Sequence, residues 1–398
     1  MLHGKMKQKK EGTNLSEKKK LLIGAILGTL LAIGILIGFT IIGKNNDENQ
    51  ASTNEVTPQQ VQSQQIGEEV DEEEPEPVIT KETIELAMIG DVLLHTELAV
   101  YDDFSPSFAP VEQYLLSPDF LIANQESLPI ASKFGISGYP QFSSPDYLVT
   151  DLKEAGVDML NLANNHAVDK WEDGLALAIQ NIENANIPYV GAYKSAEDRA
   201  THRIVDVKGI KIGVVSYTYG TNGLVLPDGS PYIVNYIDIE QMTKDVEELK
   251  PLVDVTVAII HWGAEYVIKH NENQTYIATM MNQAGVDIIF GGHPHVLQPY
   301  EKIVNGAGQE THVFYSLGNF FARTITSKET NIGAIGSFEI TKEGDMITIE
   351  KPKIIATSLL KDSADDRYKV YPLANVQDRS IRDLNWVKNI LGEQVIVQ

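Results

Sequence analysis

The sequence predicts an α/β domain carried outside a membrane on one N-terminal transmembrane helix. Three observations predict it. Short β-rich runs alternate with helix-period segments from residue 84 onward, six of those runs end on Asp, Glu, Asn or His, and an uncharged run of 23 residues follows a basic tail. The 398 residues are 43% hydrophobic and carry a net charge of −23, enough apolar material for one large core or two ordinary ones. A wholly disordered or fibrous chain is excluded.

Residues 1–20 hold Lys5, Lys7, Lys9, Lys10, Lys18, Lys19 and Lys20 against Glu11 and Glu17. In 21–43 the only polar side chains are the hydroxyls of Thr29 and Thr40, and as a helix the run crosses about 30 Å of hydrocarbon. Residues 45–80 carry ten acidic side chains and no basic one, so the positive-inside rule puts the N-terminus in the cytoplasm and everything after Lys44 outside. A cleaved signal peptide shares the basic and apolar parts. The apolar run is too long for one and no small-residue cleavage site follows, which favours a retained anchor. The Gly24/Gly28 and Gly34/Gly38 spacings fit either helix pairing or ordinary membrane glycine.

Rich in Gln, Glu, Asn and Pro, segment 45–80 reads as a tether spanning roughly 30–36 Å as a coil. The expected divisions are a cytoplasmic tail 1–20, an anchor 21–43, a disordered acidic linker 44–82, a main domain 83–360 and a C-terminal extension 361–398 packed on it. Zero cysteines exclude thiolate metal sites, cysteine nucleophiles and disulfides, so a metal here must use His, Asp, Glu or Asn. An extracellular chain without cysteine suits a Gram-positive bacterium. Acidity argues against nucleic acid as a partner, since broad phosphate binding needs clustered Lys and Arg.

Within the domain the expected strands are 84–89, 120–123, 158–162, 187–190, a hairpin through Lys208 and Gly209 into 212–217, then 255–260, 286–290 and 313–316. Helices are expected over 145–155 with Gly156 as the stop, 173–185 ended by Asn186 and Pro188, 238–249, and 273–284 with Gly285 as the stop. The last residues, 371–398, read as an added strand and helix with no legible chemistry.

The polar residues fall at strand ends. Strand 84–89 runs into Gly90, Asp91 and His95; 120–123 into Glu126; 158–162 into Asn164, Asn165 and His166. Strand 255–260 ends on His261, Trp262 and Glu265; 286–290 on His293 and His295; 313–316 on Asn319. In open α/β sheets the ligand crevice lies at the carboxyl ends of the strands, so these side chains should converge. Ordinary strand ends collect Gly, Asn and Asp for turning, but not histidine. Asp91, Glu126, Asn165, His166, His261, His293 and His295 are all O or N donors; one ion uses about four, and the surplus carboxylate suggests two bridged divalent ions. In an extended segment His293 and His295 would face the same way, with Pro294 fixing the backbone between them.

GDVLLH, NQES, NLANNHAVD, HWGAEY, GGHPHVLQPYE and YSLGNFF resemble, in order, the motif blocks of the CapA (poly-γ-glutamate capsule synthesis) family, a branch of the calcineurin-like metallophosphatase superfamily. The resemblance covers about three-fifths of the chain. It implies a four-layer αββα sandwich with up to two metals of the Mn, Fe or Zn class. Asp91 and His295 would hold the first metal, Glu126 would stand as the bridging carboxylate, and Asn165, His261 and His293 would hold the second. His166 would be the catalytic acid facing the leaving group, without binding metal. The wider superfamily has a histidine two positions after the first Asp; here that position is Leu93, and His95 lies two further on. Alternate positions of an extended turn face alike, so His95 is a candidate ligand or substrate contact, with Glu265, Asn319 and Trp262 as further candidate contacts.

No G-x-S-x-G elbow, P-loop or G-x-G-x-x-G supplies another chemistry. The absence of a serine after Asp91, where an SGNH esterase places its nucleophile, argues against that reading. Two readings remain. One is an ectoenzyme acting on a phosphoester or on the capsule polymer; the other is a non-catalytic subunit of a poly-γ-glutamate synthase complex, gripping polymer carboxylates through metal and meeting membrane subunits. His202, His270 and His312 lie outside the strand-end set and read as surface or core histidines. Trp171 and Trp262 flank site blocks and read either as cavity walls or as buried packing.

Overall fold

The computed structural model describes residues 80–398 other than 228 and 325. The basic tail, the 21–43 anchor and residues 44–79 of the linker lie outside the described residues. Among the described residues no helix is long and apolar enough to cross a membrane.

In chain order the strands are β1 (Lys81–Leu93), β2 (Phe120–Gln125), β3 (Met159–Asn161), β4 (Tyr189–Val190), β5 (Arg203–Val207), β6 (Ile210–Thr218), β7 (Val255–His261), β8 (Ile288–Gly292), β9 (Tyr300–Val304), β10 (Glu310–Phe314), β11 (Asn319–Ala322), β12 (Ile332–Glu343), β13 (Met346–Asp362), β14 (Arg367–Pro372) and β15 (Ile396–Val397). One sheet has the order β14-β13-β12-β1-β2-β3-β4, with β11 added to β1 and β15 to β13; the other runs β5-β6-β7-β8-β10-β9.

The two-residue period of the strands sorts these elements into layers. Along β1, Ile84, Leu86 and Met88 share a buried cluster with Ile212, Val257 and Phe290 of the other sheet. Ala87 and Ile89 point the opposite way, onto Leu152 of the helix Leu148–Glu154 and Ile179 and Ile182 of the helix Trp171–Asn184. In β7, Ala258 and Ile260 face outward onto Val246 of the helix Ile239–Leu249 and Ile277 and Met281 of the helix Glu272–Ala284. The result is helix, sheet, sheet, helix. Val387 and Leu391 of the helix Leu384–Leu391 close one side of the inter-sheet core.

Local chemistry explains most boundaries. The β5–β6 hairpin turns on Lys208 and Gly209, both with positive φ (52° and 84°), as a tight hairpin requires. Asp238 caps its helix by accepting from Gln241 N, and Asn271 with Gln274 forms a reciprocal capping box. Gly285 then ends that second helix at φ 99°. The longest pairing, the antiparallel β12–β13 hairpin, turns at Gly344 and has no counterpart among the expected elements.

Parallel pairing brings the site together. β1, β2, β3 and β4 are mutually parallel, as are β6, β7, β8 and β10, so each sheet gathers its carboxyl ends on one edge. At the site edge the chain returns from the second sheet to the first, where β11 pairs with β1 and Asp91 N donates to Gly318 O at 2.9 Å as that pairing begins. Gly90 permits this approach: a Cβ there would lie 2.0 Å from the same carbonyl.

Candidate metal centre

The site starts from two buried carboxylates. Between Ile89 and Asp91 the register of β1 against β2 shifts, a bulge that re-aims the strand end. Asn124 Nδ2 donates to Asp91 Oδ1 at 2.7 Å and to Glu126 Oε2 at 3.3 Å. Its own Oδ1 accepts from Asn161 Nδ2 at 2.9 Å, so three adjacent strand ends share one amide network. Gly292 leaves the room, since a Cβ there would meet Asp91 Oδ1 at 2.9 Å.

This network leaves specific atoms unpaired. Asp91 Oδ2, Glu126 Oε1 and His261 Nδ1 are buried without hydrogen-bond partners. Asp91, Glu126 and His261 each place a ligand atom within 4.8 Å of the others. Burial, and then the neighbouring Asp91 charge, pushes the Glu126 carboxyl well above its usual range. Two dry carboxylates facing each other are costly unless one is protonated or a cation lies between them, and the orphaned oxygens fit the cation.

The histidines converge by a route different from the expected one. His293 and His295 have φ of 96° and 57°, so their segment is a turn and not extended; both residues take a left-handed conformation that ordinary side chains avoid. Their rings still meet, with centroids 6.0 Å apart, and with Glu265 they form a second group whose ligand atoms lie within 4.8 Å. His295 Nδ1 sits 2.9 Å from Asn319 Oδ1 and 3.1 Å from Asp91 Oδ2. One N–H cannot point at both; the bond goes to Asn319, leaving Asp91 Oδ2 with charge contact alone. Burial opposes protonation of His295, but the Glu126 charge and the Asp91 contact outweigh it and lift the imidazole to about 9. His261 Nε2 lies 2.9 Å from Asn165 Oδ1 and 3.5 Å from Glu126 Oε1. Burial and the neighbouring imidazoles hold His261 well below its ordinary value and His293 down to about 3, so both keep a ligating lone pair at neutral pH.

His166 stands apart from both groups. Its Nδ1 lies 2.8 Å from Asp169 Oδ2, which also accepts Phe142 N–H at 2.6 Å. His166 lines a cavity of about 460 Å³ together with Leu93, His95, Phe142, Glu265 and His295. Phe142 stands edge-on between the rings of His166 and His95, at 4.7 and 5.0 Å. Leu93 and His95 thus do face alike, on the cavity wall, and His95 belongs to neither carboxylate–imidazole group. Burial takes His95 down to about 4.

Trp262 is not a contact in this site. It is fully buried in the outer core, stacks on Tyr315 at 5.7 Å and donates Nε1–H to Tyr315 O at 2.9 Å. The alternation of an extended strand end explains this: with His261 turned inward, its neighbour must turn outward. Trp171 is largely exposed, His312 pairs with Tyr300 Oη at 2.8 Å, and His270 stacks on Tyr315.

Sequence reasoning missed Asn124, Asn161, Asp169, Tyr219 and Asn222. Asp169 follows His166 by three residues in the NLANNHAVD block, a spacing that could have flagged a His–Asp pair. Tyr219, tilted against the His293 ring at 4.5 Å, follows a strand whose end carries no charged residue to mark it.

A family model described as "Bacterial capsule synthesis protein PGA_cap" matches residues 85–324. The chain is 29% identical over 304 residues to a capsule biosynthesis protein CapA of Bacillus anthracis, covering 73% of this chain and 72% of the relative. It is 30% identical over 275 residues to a PGA biosynthesis protein CapA of Bacillus subtilis (strain 168), covering 66% and 69%. Among solved structures, a putative 5'-nucleotidase from Staphylococcus aureus in complex with alpha-ketoglutarate aligns with a TM-score of 0.46 at 16% identity, over 72% of this chain and 57% of that one.

Proposed function

This chain belongs to the bacterial capsule synthesis protein family PGA_cap, and from that premise we propose a membrane-anchored, extracellular protein of poly-γ-glutamate capsule synthesis or export whose strand-end centre holds two divalent ions and hydrolyses a phosphoester. The observation that carries this reading is the buried pair Asp91 and Glu126, each with an unpartnered oxygen, grouped with His261 so that their ligand atoms lie within 4.8 Å of one another. Asp91, Glu126, Asn165, His261, His293 and His295 would hold the ions. Ions of the Mn, Fe or Zn class there would acidify a bound water and neutralise phosphoryl charge.

The protein's own groups do the rest. Asp169 holds Nδ1 of His166, leaving Nε2 on the cavity side to deliver a proton to the departing oxygen, while the Asp169 carboxylate steadies the imidazolium. Phe142 and Leu93 keep bulk water from that proton. Among the described residues the cavity lining contains no Lys or Arg, so charge on a phosphoryl group falls to the ions and the histidines.

A second reading is favoured by the names of the relatives, which refer to biosynthesis: a non-catalytic subunit that grips polyglutamate carboxylates through metal, alongside membrane subunits of a synthase complex. One experiment separates the two. The metal-loaded full chain is assayed against alkyl and nitrophenyl phosphates, and its binding to polyglutamate is measured with and without chelator. Metal-dependent hydrolysis supports the enzyme; chelator-sensitive polymer binding without hydrolysis replaces it with the second reading.

A further inference from the structure

Asn165 is a ligand candidate whose usefulness depends on which way its amide points. The oxygen and nitrogen of an amide are nearly the same size, so sterics alone do not choose between the two orientations; hydrogen-bond partners do. Only the oxygen can ligate a cation. In the structure Asn165 is buried, with Oδ1 2.9 Å from His261 Nε2 and Nδ2 donating to Asn222 Oδ1 at 3.2 Å.

We propose that Asn222 is a positioning residue that fixes the Asn165 amide with its oxygen turned into the metal centre. The inference rests on the metal-centre reading above and adds a residue that is neither ligand nor acid. Asn222 offers an acceptor, so it demands the NH2 of Asn165 and sends the oxygen inward. Tyr219 lies against the same group, its Oη–H donating to Asn222 Oδ1 at 3.3 Å. Tyr219 is itself placed by a tilted ring contact with His293 at 4.5 Å and by lying parallel to His261 at 6.4 Å.

The loop holding Asn222 is pinned next door. Thr221 Oγ1 meets Tyr236 Oη at 2.6 Å, and Leu224 N donates to Thr221 O at 2.9 Å. Asn222 itself has φ 52°, followed by Gly223 at 78°. Asparagine and aspartate tolerate that conformation and supply the acceptor; glycine tolerates it and supplies none. The pair of substitutions therefore separates side chain from backbone.

The test uses the purified full chain with 15N-labelled histidine, as wild type, Asn222→Asp and Asn222→Gly. The metal-free readout is the tautomer of His261, its signal identified by loss in His261→Gln; the second readout is Zn2+ affinity by competition with a chelator. Wild type and Asn222→Asp should show His261 as the Nε2–H tautomer and bind Zn2+ alike. In Asn222→Gly the Asn165 amide is free to turn, His261 should shift toward Nδ1–H, and Zn2+ should bind about 10- to 100-fold more weakly, the usual effect of losing an outer-shell partner. In an Asn165→Asp background, where either oxygen ligates, Asn222→Gly should change nothing. An unchanged His261 tautomer in Asn222→Gly overturns the proposal. So does equal weakening by Asp and Gly, or a loss that persists beside Asn165→Asp. If wild type takes up no Zn2+, the metal-centre reading fails, and the tautomer comparison still decides the orientation.

Discussion

Asp169→Asn should reduce turnover by about tenfold while leaving the metal centre intact. Both contacts of the Asp169 carboxylate, to His166 Nδ1 at 2.8 Å and to Phe142 N at 2.6 Å, are made by the one oxygen Oδ2. An asparagine that puts its oxygen in that place keeps both hydrogen bonds, because each partner is a donor; only the negative charge is lost. A bond to a charged group contributes about 1.5–3 kcal/mol and a neutral one about 0.5–1.5, so the imidazolium that must be present to give up its proton is less favoured by roughly 1–1.5 kcal/mol, and the acid-competent population falls by about tenfold. His166→Asn, which removes the acid itself, should cost about 10² to 10⁴. The assay compares an alkyl phosphate with a nitrophenyl phosphate, whose leaving group needs no proton, with metal content measured on every sample. A deficit confined to the alkyl ester is expected. Equal deficits on both esters, or a loss above about 10³ for Asp169→Asn, would refute the geometry on which the estimate rests.

His261→Ala and His293→Ala should each lower bound metal and abolish the stabilisation that metal gives wild type, about 2.7 kcal/mol at a hundredfold excess over Kd, read as a lost shift in Tm on chelation. Metal uptake should strengthen from pH 6 to pH 9, because the ion must displace the protons kept on Glu126 and on His295, which titrates at about 9. In the metal-free protein the sign reverses: the stability tied to protonated His295 is fully present below its ordinary value of about 6.5 and is lost as pH rises through about 9, which a denaturation series with chelator reads directly. Gly292→Ala would force a methyl to 2.9 Å from Asp91 Oδ1, so it should reduce metal content and leave the secondary structure unchanged by circular dichroism. Protease added to intact cells should release a soluble fragment beginning within residues 45–80, and protection of residues 81–398 would contradict the topology.

The parts of the site that strands deliver were legible in the sequence, and the parts that a network delivers were not. A parallel strand announces its end through an apolar run that stops on a titratable residue, as β1 does at Asp91, β7 at His261 and β8 just before His293. Asn124 and Asn161 hold the carboxylates in place, yet in a sequence they are indistinguishable from turn asparagines. Periodicity predicts facing but not backbone strain, so the common side of His293 and His295 was anticipated while their left-handed turn was not. The same alternation that turns His261 inward buries Trp262 in the outer core. The β12–β13 hairpin follows the motif blocks and carries none of their chemistry, though the alternation of 338–341 and 347–350 about Gly344 was there to read.

The most direct test is to count and locate the ions. The full chain, stripped and then reloaded with Mn2+ or Zn2+, is analysed for metal per chain and by anomalous diffraction, beside Glu126→Gln. Two ions per chain are predicted, flanking Glu126 and reached by Asp91, His261, His293 and His295, with the pair lost or reduced to one in Glu126→Gln. A chain that takes up neither metal at millimolar concentration, or that binds it away from these side chains, contradicts the account.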